Sequence, residues 1–307
     1  MVQRPSILGD PGILERLASG LAGTELQSLL LEVMRRRAKD RTPAEVLAQY
    51  GRDPFCAPAA VDQRTSVALD AHLLAAAEGF EAVELSPVTP LGACSTVALT
   101  DQNRVLSALR GTEIVADPTN VFALECARRL RARPREVCHL ATSQRVIRAQ
   151  PVPRLPGYSQ HFRIFVLASA GSEAKDHAFT VDTLVLHVTT MLRTLDRLEA
   201  HGYGFGARRV DVLATETRAA LGDRVADAIR ATGTPATRKL LEHPYYSGGL
   251  RYMLWVTDHE GTQFPLVDGG AFDWLAKLTS NRRAVYVATG MGAQLVALRF
   301  SRPSPRP

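Results

Sequence analysis

The stretch that most limits how this chain folds lies near its C-terminus. It reads Pro265-Leu266-Val267-Asp268-Gly269-Gly270-Ala271-Phe272-Asp273-Trp274-Leu275, and then Ala288-Thr289-Gly290-Met291-Gly292-Ala293-Gln294-Leu295. The order predicts an apolar strand running into a paired-glycine turn and an acid-containing helix start. A second strand then enters a small-residue helix. Backbone this bare lies close to something, either a ligand or another element.

The rest of the chain supplies the strands and helices around that stretch. Residues 12–50 carry leucines at helical spacing (Leu14, Leu17, Leu21, then Leu26, Leu29, Leu30 and Val33). Thr42-Pro43-Ala44-Glu45 has the order of a helix start, with Thr42 as cap. The Pro54- and Pro58-containing stretch from Gly51 to Val61 reads as a linker. Val67 to Ala77 predicts a helix ended by Gly79, and Phe80 to Leu85 alternates as a half-buried strand. Glu113 to Ala116 predicts a short strand, and Pro118-Thr119-Asn120 opens a helix through Leu130. Val137 to Ala149 and His161 to Ala168 predict two strands, joined by a loop holding Pro151, Pro153, Pro156 and Gly157. Val181, Leu184, Val185, Val188, Leu192, Leu195 and Leu198 mark an amphipathic helix ending near His201-Gly202. A strand over Arg208 to Leu213 and a helix over Glu216 to Thr232 follow. Leu250 to Thr257 and Gln263 to Asp268 predict a hairpin. Antiparallel strands with long interposed helices predict an α+β protein with one dominant sheet. The expected division is a helical segment over residues 1–61, a core over 62–300 and a disordered tail over 301–307.

Composition excludes several function classes. At 307 residues, 46% hydrophobic and 22% charged, the chain can bury a sizeable core. No apolar run is long enough to span a membrane, and Met1-Val2-Gln3-Arg4-Pro5 does not begin a secretion signal. Cys56, Cys94, Cys126 and Cys138 are scattered without a CxxC pair, which reads as reduced, mostly buried thiols in a cytoplasmic protein. The net charge of +6 gathers in Arg35-Arg36-Arg37 and from Arg128 to Arg135. Such clusters attract phosphates, but no aromatic residues for base stacking interleave with them. An RNA-binding module is therefore the third reading of the chain. No HxxxH, HxxE or DxD spacing suggests a metal.

Four stretches, in order, carry a resemblance. Ala75 to Pro87 (AAAEGFEAVELSP) is similar to the helix-to-strand entry into motif 1 of the histidyl-tRNA synthetase branch of class II aminoacyl-tRNA synthetases. Pro87 matches the proline that shapes the dimer interface there. Thr112 to Arg128 resembles the family's "ALRPDLT" segment, with Asp117, Pro118 and Thr119 near those positions and Ala116 in place of the arginine. Val146 to Phe165 resembles motif 2: Arg148 stands where the ATP-clamping arginine stands, Gln150 at the glutamate position, and Gly157 and His161-Phe162 in the returning strand. Pro244-Tyr245-Tyr246-Ser247-Gly248, Gly269 to Leu275 and Gly290 to Leu295 resemble the "DYYTG", "GGRYDxL" and motif 3 segments. The match covers roughly residues 65–300 and implies a class II synthetase-like antiparallel sheet flanked by helices. The chain ends just after motif 3, leaving no room for an anticodon-binding domain. The regulatory subunit of ATP phosphoribosyltransferase is a family relative with a similar truncation.

The resemblance also bears on chemistry. Class II adenylation brings a carboxylate in line with the α-phosphate of ATP and needs fixed cations for the charge that accumulates. Arg148 stands for the motif 2 cation. The motif 3 arginine position falls at Ala293 or Gln294, the "GGRYD" arginine is Ala271, and the acid before Tyr-Tyr is Pro244. Losing one such contact costs on the order of 3 kcal/mol. Ordinary aminoacylation is then silenced unless Arg145, Arg154, Arg163 or Arg251 substitutes.

What remains reads as a pocket. The candidate ligand-binding residues are Arg148, Gln150, Tyr245, Tyr246, Asp268, Gly269, Gly270 and Asp273, because aromatic rings and carboxylates suit an ammonium group. Each has a plainer alternative. Gly269-Gly270 reads equally as a tight strand exit, Asp273 as a helix cap, Asp268 as a strand end, the tyrosines as core and Arg148 as a surface ion-pair partner. His161 and His243 are candidate bases or structural histidines, and Gly202 to Gly206 is a loop in the wrong order for a dinucleotide fingerprint. Ser172 and Ser247 have no triad partners, so nucleophilic catalysis is unsupported. The leading reading is a non-tRNA-charging paralogue that binds an amino-acid-like or nucleotide ligand (ATP or AMP among them), as a regulatory or scaffold subunit. The second is an active biosynthetic enzyme forming an amide or ester on a small molecule or carrier. The resemblance further implies a homodimer through the segment from Phe80 to Pro90.

Overall fold

The computed structural model describes residues 10–152 and 158–302. The expected loop residues Pro153, Pro156 and Gly157, the substitute cation Arg154, and the tail residues 303–307 lie outside the described residues.

Three helices come first: α1 (Pro11–Ala18), α2 (Gly23–Lys39) and α3 (Pro43–Arg52). The Thr42 cap forms as its sequence dictates. Its hydroxyl accepts from Glu45 N, while the Glu45 carboxylate accepts from Thr42 N at 2.7 Å. α4 (Gln63–Ala76) begins at Asp62 and buries Leu69 and Leu73. Its chain reverses through Gly79, which has φ +96°, a conformation that favours glycine.

The main sheet has eight strands in the order β1-β5-β6-β11-β10-β9-β7-β8. They are β1 (Glu81–Ala82), β5 (Cys138–Ile147), β6 (His161–Ser172), β7 (Arg208–Ala214), β8 (Ala236–Leu240), β9 (Leu250–Thr257), β10 (Gln263–Phe272) and β11 (Ala284–Met291). The interior pairings are antiparallel, and the outer pairs β1·β5 and β7·β8 are parallel. A second sheet holds β2 (Val88–Pro90), β3 (Ser107–Ala108) and β4 (Thr112–Ile114) in the order β2-β4-β3.

Period-two alternation sorts the side chains of the main sheet onto two faces. One face packs Phe165, Leu167, Tyr252 and Val287 against α4, α6 (Ala178–Glu199), α7 (Ala219–Ala231) and α9 (Ala293–Arg299). The other packs Leu140, Val166, Phe272 and Tyr286 against α5 (Pro118–Ala132) and α8 (Trp274–Thr279). This is the α+β sheet flanked by helices that the sequence pattern and the resemblance led to.

Several local expectations are corrected. The glycine pair does not turn: β10 runs through Gly269 and Gly270 to Phe272, paired on both sides. Both glycines instead answer to close packing. A Cβ on Gly269 would collide with the Thr289 hydroxyl, and one on Gly270 would collide with the Leu250 carbonyl. The strand expected over Phe80 to Leu85 pairs only at Glu81–Ala82. The Glu113 strand belongs to the small sheet, and Arg148 lies one residue beyond β5. β8, a short edge strand with mostly exposed residues, was not anticipated because Ala236–Leu240 lacks an apolar alternation.

Candidate functional site

On the α5 face, the sheet and its loops enclose a cavity of 380 Å³. Its floor is Arg251, Asp268, Gly269, Ala288 and Gly290, with Ile164 beside them. Tyr245, Tyr246 and His243 form one wall, and the start of α5 (Asp117, Thr119, Asn120) forms another. Arg148 and Gln150 flank it after β5, and Cys94, Thr100, Arg104 and Val105 close the remaining side.

The floor is an ion pair. Arg251 donates from Nε and Nη2 to the two Asp268 oxygens at 2.9 and 2.7 Å. Tyr246 OH donates to Asp268 Oδ1 at 2.6 Å, and the guanidinium lies 4.9 Å over the Tyr246 ring. Burial alone would push Arg251 down, but the Asp268 hydrogen bonds and charge overcome it and hold the guanidinium above its ordinary value. Burial, and then the Asp268 charge, raises the Tyr246 phenol. Burial likewise raises Tyr245 well above its ordinary value, so both tyrosines are neutral donors.

Arg148 is held at the α5 end. Its Nε donates to the Ala116 carbonyl at 3.0 Å, and its Nη2 stands 3.5 Å from Asp117 Oδ2. Asp117 caps α5 through Thr119 N at 3.0 Å and accepts the Thr119 hydroxyl at 2.8 Å. The wall bearing Cys94 and Arg104 is organised by a buried carboxylate. Glu113 accepts from Gly92 N at 2.8 Å, Cys94 N at 2.9 Å and Gln102 Nε2 at 2.8 Å. The Cys94 thiol is pushed up to about 12 by burial and then by the Asp117 and Glu113 charges, so it is a thiol and a poor nucleophile at neutral pH. His243 Nδ1 accepts from Tyr245 N at 3.2 Å, which leaves Nε2 to carry the proton of the neutral ring.

Six of the eight residues singled out from sequence line this cavity: Arg148, Gln150, Tyr245, Tyr246, Asp268 and Gly269. Gly270 and Asp273 do not. The bare face of Gly270 receives the Tyr246 ring, so the glycine supports the wall from behind. Asp273 lies outside, accepting the Ser247 hydroxyl at 2.6 Å and pairing with Lys277 at 2.8 Å; its side chain makes no cap bond to α8. Of the substitute cations among the described residues, only Arg251 reaches the cavity. Arg145 and Arg163 point to the other face, because β5 and β6 alternate. There Arg163 pairs with Asp70 at 2.6 Å, and Arg145 meets His161 at 3.0 Å. His161 is structural: its Nε2 meets the Ala57 carbonyl at 2.6 Å. Ala293 and Gln294, at the motif 3 position, are buried away from the cavity, with Gln294 donating to Ser159 Oγ at 3.1 Å.

Sequence reasoning missed Cys94, Thr100, Arg104 and Asn120 as cavity residues. Cys94, Thr100 and Arg104 lie on an irregular segment placed by Glu113, and no spacing in the chain announces that carboxylate. The arginine clusters are largely self-neutralised. Arg35 and Arg36 pair with Glu32, and Arg128 and Arg129 with Glu125. No helix among the described residues is long and apolar enough to cross a membrane.

The order of the eight strands and the helices around them give the fold of a class II synthetase-like core. Solved structures share it. The ATP phosphoribosyltransferase regulatory subunit/histidyl-tRNA synthetase from Bacillus halodurans superposes with a TM-score of 0.59 at 12% identity, over 78% of this chain and 81% of that one. A histidine–tRNA ligase subunit from Alicyclobacillus acidocaldarius gives 0.57 at 14% identity, over 84% of this chain and 96% of that one. Apo histidyl-tRNA synthetase from S. aureus gives 0.55 at 11% identity; this chain covers 64% of its length. No protein-family model and no curated protein matches the sequence.

Proposed function

We propose that this protein is a non-tRNA-charging class II synthetase-like paralogue that binds a small amino-acid-like or nucleotide ligand in the α5-face cavity, a zwitterion best of all, and acts as a regulatory subunit. The observation that carries the reading is the Arg251–Asp268–Tyr246 floor. It sets a paired cation and anion in the base of a cavity whose size suits an amino acid or a nucleotide fragment. A ligand bearing both an ammonium and a carboxylate exchanges partners with that pair without leaving a charge unpaired. The motif 3 position offers no cation to the cavity, which argues against ordinary adenylation. The test is a thermal-shift screen with amino acids, ATP and AMP on the wild type and on Arg251→Ala. A ligand that raises the melting temperature of the wild type and not of the variant is expected. No shift with any of them, or an equal shift in the variant, contradicts the reading.

One observation favours a second reading, an active enzyme forming an amide or ester. Arg104 lies exposed at the cavity rim with no ion pair among the described residues, facing the same space as Arg148. Two cations on one side of a cavity can share a phosphate. That reading requires turnover that Arg148→Ala abolishes; activity unchanged in the variant excludes it. In both readings the protein works as a homodimer, for which the exposed segment from Phe80 to Pro90 is the expected contact.

A further inference from the structure

On the sheet face opposite the cavity, β5 and β6 set two like charges side by side. Arg145 and Arg163 are direct cross-strand partners, an arrangement that is unfavourable in itself. Both are half-buried, and among the described residues one carboxylate serves them. Asp70 on α4 accepts from Arg163 Nη1 and from the Ser143 hydroxyl, each at 2.6 Å, so both of its oxygens are engaged. Arg163 also donates from Nη1 to the Ser143 carbonyl at 3.2 Å, and its Nε is buried without an acceptor among the described residues. Arg145 meets only neutral acceptors there: Nη1 donates to His161 Nδ1 at 3.0 Å and lies 3.5 Å from Gln294 Oε1. A guanidinium only donates, so His161 accepts at Nδ1 and its Nε2 donates to the Ala57 carbonyl at 2.6 Å. The ring is neutral in this arrangement and adds no charge.

The cluster is one negative charge short. Arg145 enters no ion pair among the described residues, and residues 1–9, 153–157 and 303–307 contain no aspartate or glutamate. Burial lowers the Arg145 guanidinium from its ordinary value, and the Arg163 charge lowers it further. Burial likewise raises the Asp70 carboxyl against the pull of Ser143 and both arginines. A guanidinium stays charged at any ordinary pH, so deprotonation does not relieve the imbalance. We propose that this cluster is a second binding site, taking the carboxylate of a small organic acid. The Nε and Nη2 edge of Arg145 has no partner among the described residues and fits the two oxygens of a carboxylate. One such charge matches two guanidiniums with two carboxylates, whereas a phosphate monoester, at about −2, overshoots. The site lies on the other face of the sheet from the α5-face cavity and does not rest on the function proposed there.

Thermal unfolding of the full chain tests it, with sodium acetate up to about 200 mM set against sodium chloride at equal ionic strength. Acetate is expected to raise the wild-type melting temperature by about 1 °C or more over chloride. Arg145→Gln should lose that response. Without acetate it should melt at or above wild type, because it removes a desolvated cation that faces another. Arg145→Lys keeps the charge without the two-donor edge and should lose most of the response. Arg251→Ala should keep the response, which separates this site from the cavity floor. Acetate no better than chloride, or a wild-type response in both Arg145 variants, overturns the proposal. So does an Arg145→Gln protein that melts well below wild type without acetate, since the charge is then already balanced. An Arg145-dependent response to inorganic phosphate with none to acetate also overturns it.

Discussion

Replacing Gly270 by alanine tests whether the glycine pair serves packing. An ideal Cβ there collides with the Leu250 carbonyl and stands 2.6 Å from Tyr246 Cδ1 and 3.1 Å from Arg251 Cα. Carbon atoms prefer about 3.5–4.0 Å. The carbonyl belongs to the paired strand β9, so strand spacing prevents it from yielding, and the Tyr246 ring must move by about 1 Å. Overpacking of this kind costs about 1–3 kcal/mol. Moving the ring also strains the Tyr246–Asp268 hydrogen bond, and a bond to a charged group contributes about 1.5–3 kcal/mol. The expected loss is therefore about 3 kcal/mol, read as a lower midpoint in urea unfolding with an unchanged slope. Gly290→Ala is the control. Its Cβ would meet only the Ile164 side chain, the flexible Cδ1 end at 3.0 Å and Cγ1 at 3.7 Å, so stability should change by less than about 1 kcal/mol. A Gly270→Ala protein as stable as wild type would refute the packing account and return the pair to the status of a ligand cradle.

Three further outcomes follow from the floor and the buried groups behind it. Thr289 Oγ1 bridges Tyr252 OH at 2.8 Å and His187 Nδ1 at 2.9 Å, so Thr289→Val should cost about 1–3 kcal/mol in urea unfolding by leaving both unpaired. Burial, and then the neighbouring His139, pushes His187 down to about 3 from an ordinary 6.5. The unfolded chain therefore binds the extra proton between those values, and stability is complete above pH 6.5 and lost as pH falls toward 3. Between pH 6.5 and 5 this amounts to about 2 kcal/mol, and a His187→Gln protein should lose correspondingly less over the same interval. Asp268→Asn leaves the half-buried Arg251 without its counter-charge, which should lower stability by about 1–3 kcal/mol and abolish any ligand-induced thermal shift.

Much of the fold was legible because periodicity reports burial directly. The leucine and valine spacing from Val181 to Leu198 gave α6, and the apolar runs gave β5, β6, β7 and β9, whereas the alternation from Phe80 to Leu85 yielded only the two-residue β1. Proline and the capping residues located the starts of α3 and α5. The glycine pair misled in one respect: close approach and turning both require glycine, and sequence does not separate them. β8 was hidden because an edge strand beside an exposed margin needs no apolar face. The candidate site was legible where a motif persisted, at Arg148 and Tyr245-Tyr246. It was illegible at Arg104 and Cys94, on a segment that Glu113 holds through two backbone donors and the Gln102 side chain, which leave no sequence pattern. Arg145 and Arg163 were offered as cavity cations because face assignment depends on register, and a shift of one residue inverts it.

Amino-acid-dependent exchange of pyrophosphate into ATP measures the central claim most directly. The account predicts no exchange above background with any of the common amino acids, in a preparation whose melting temperature at least one amino-acid-like or nucleotide ligand raises. Steady exchange with any single amino acid, lost in Arg148→Ala, would contradict it and establish the cavity as a working adenylation site.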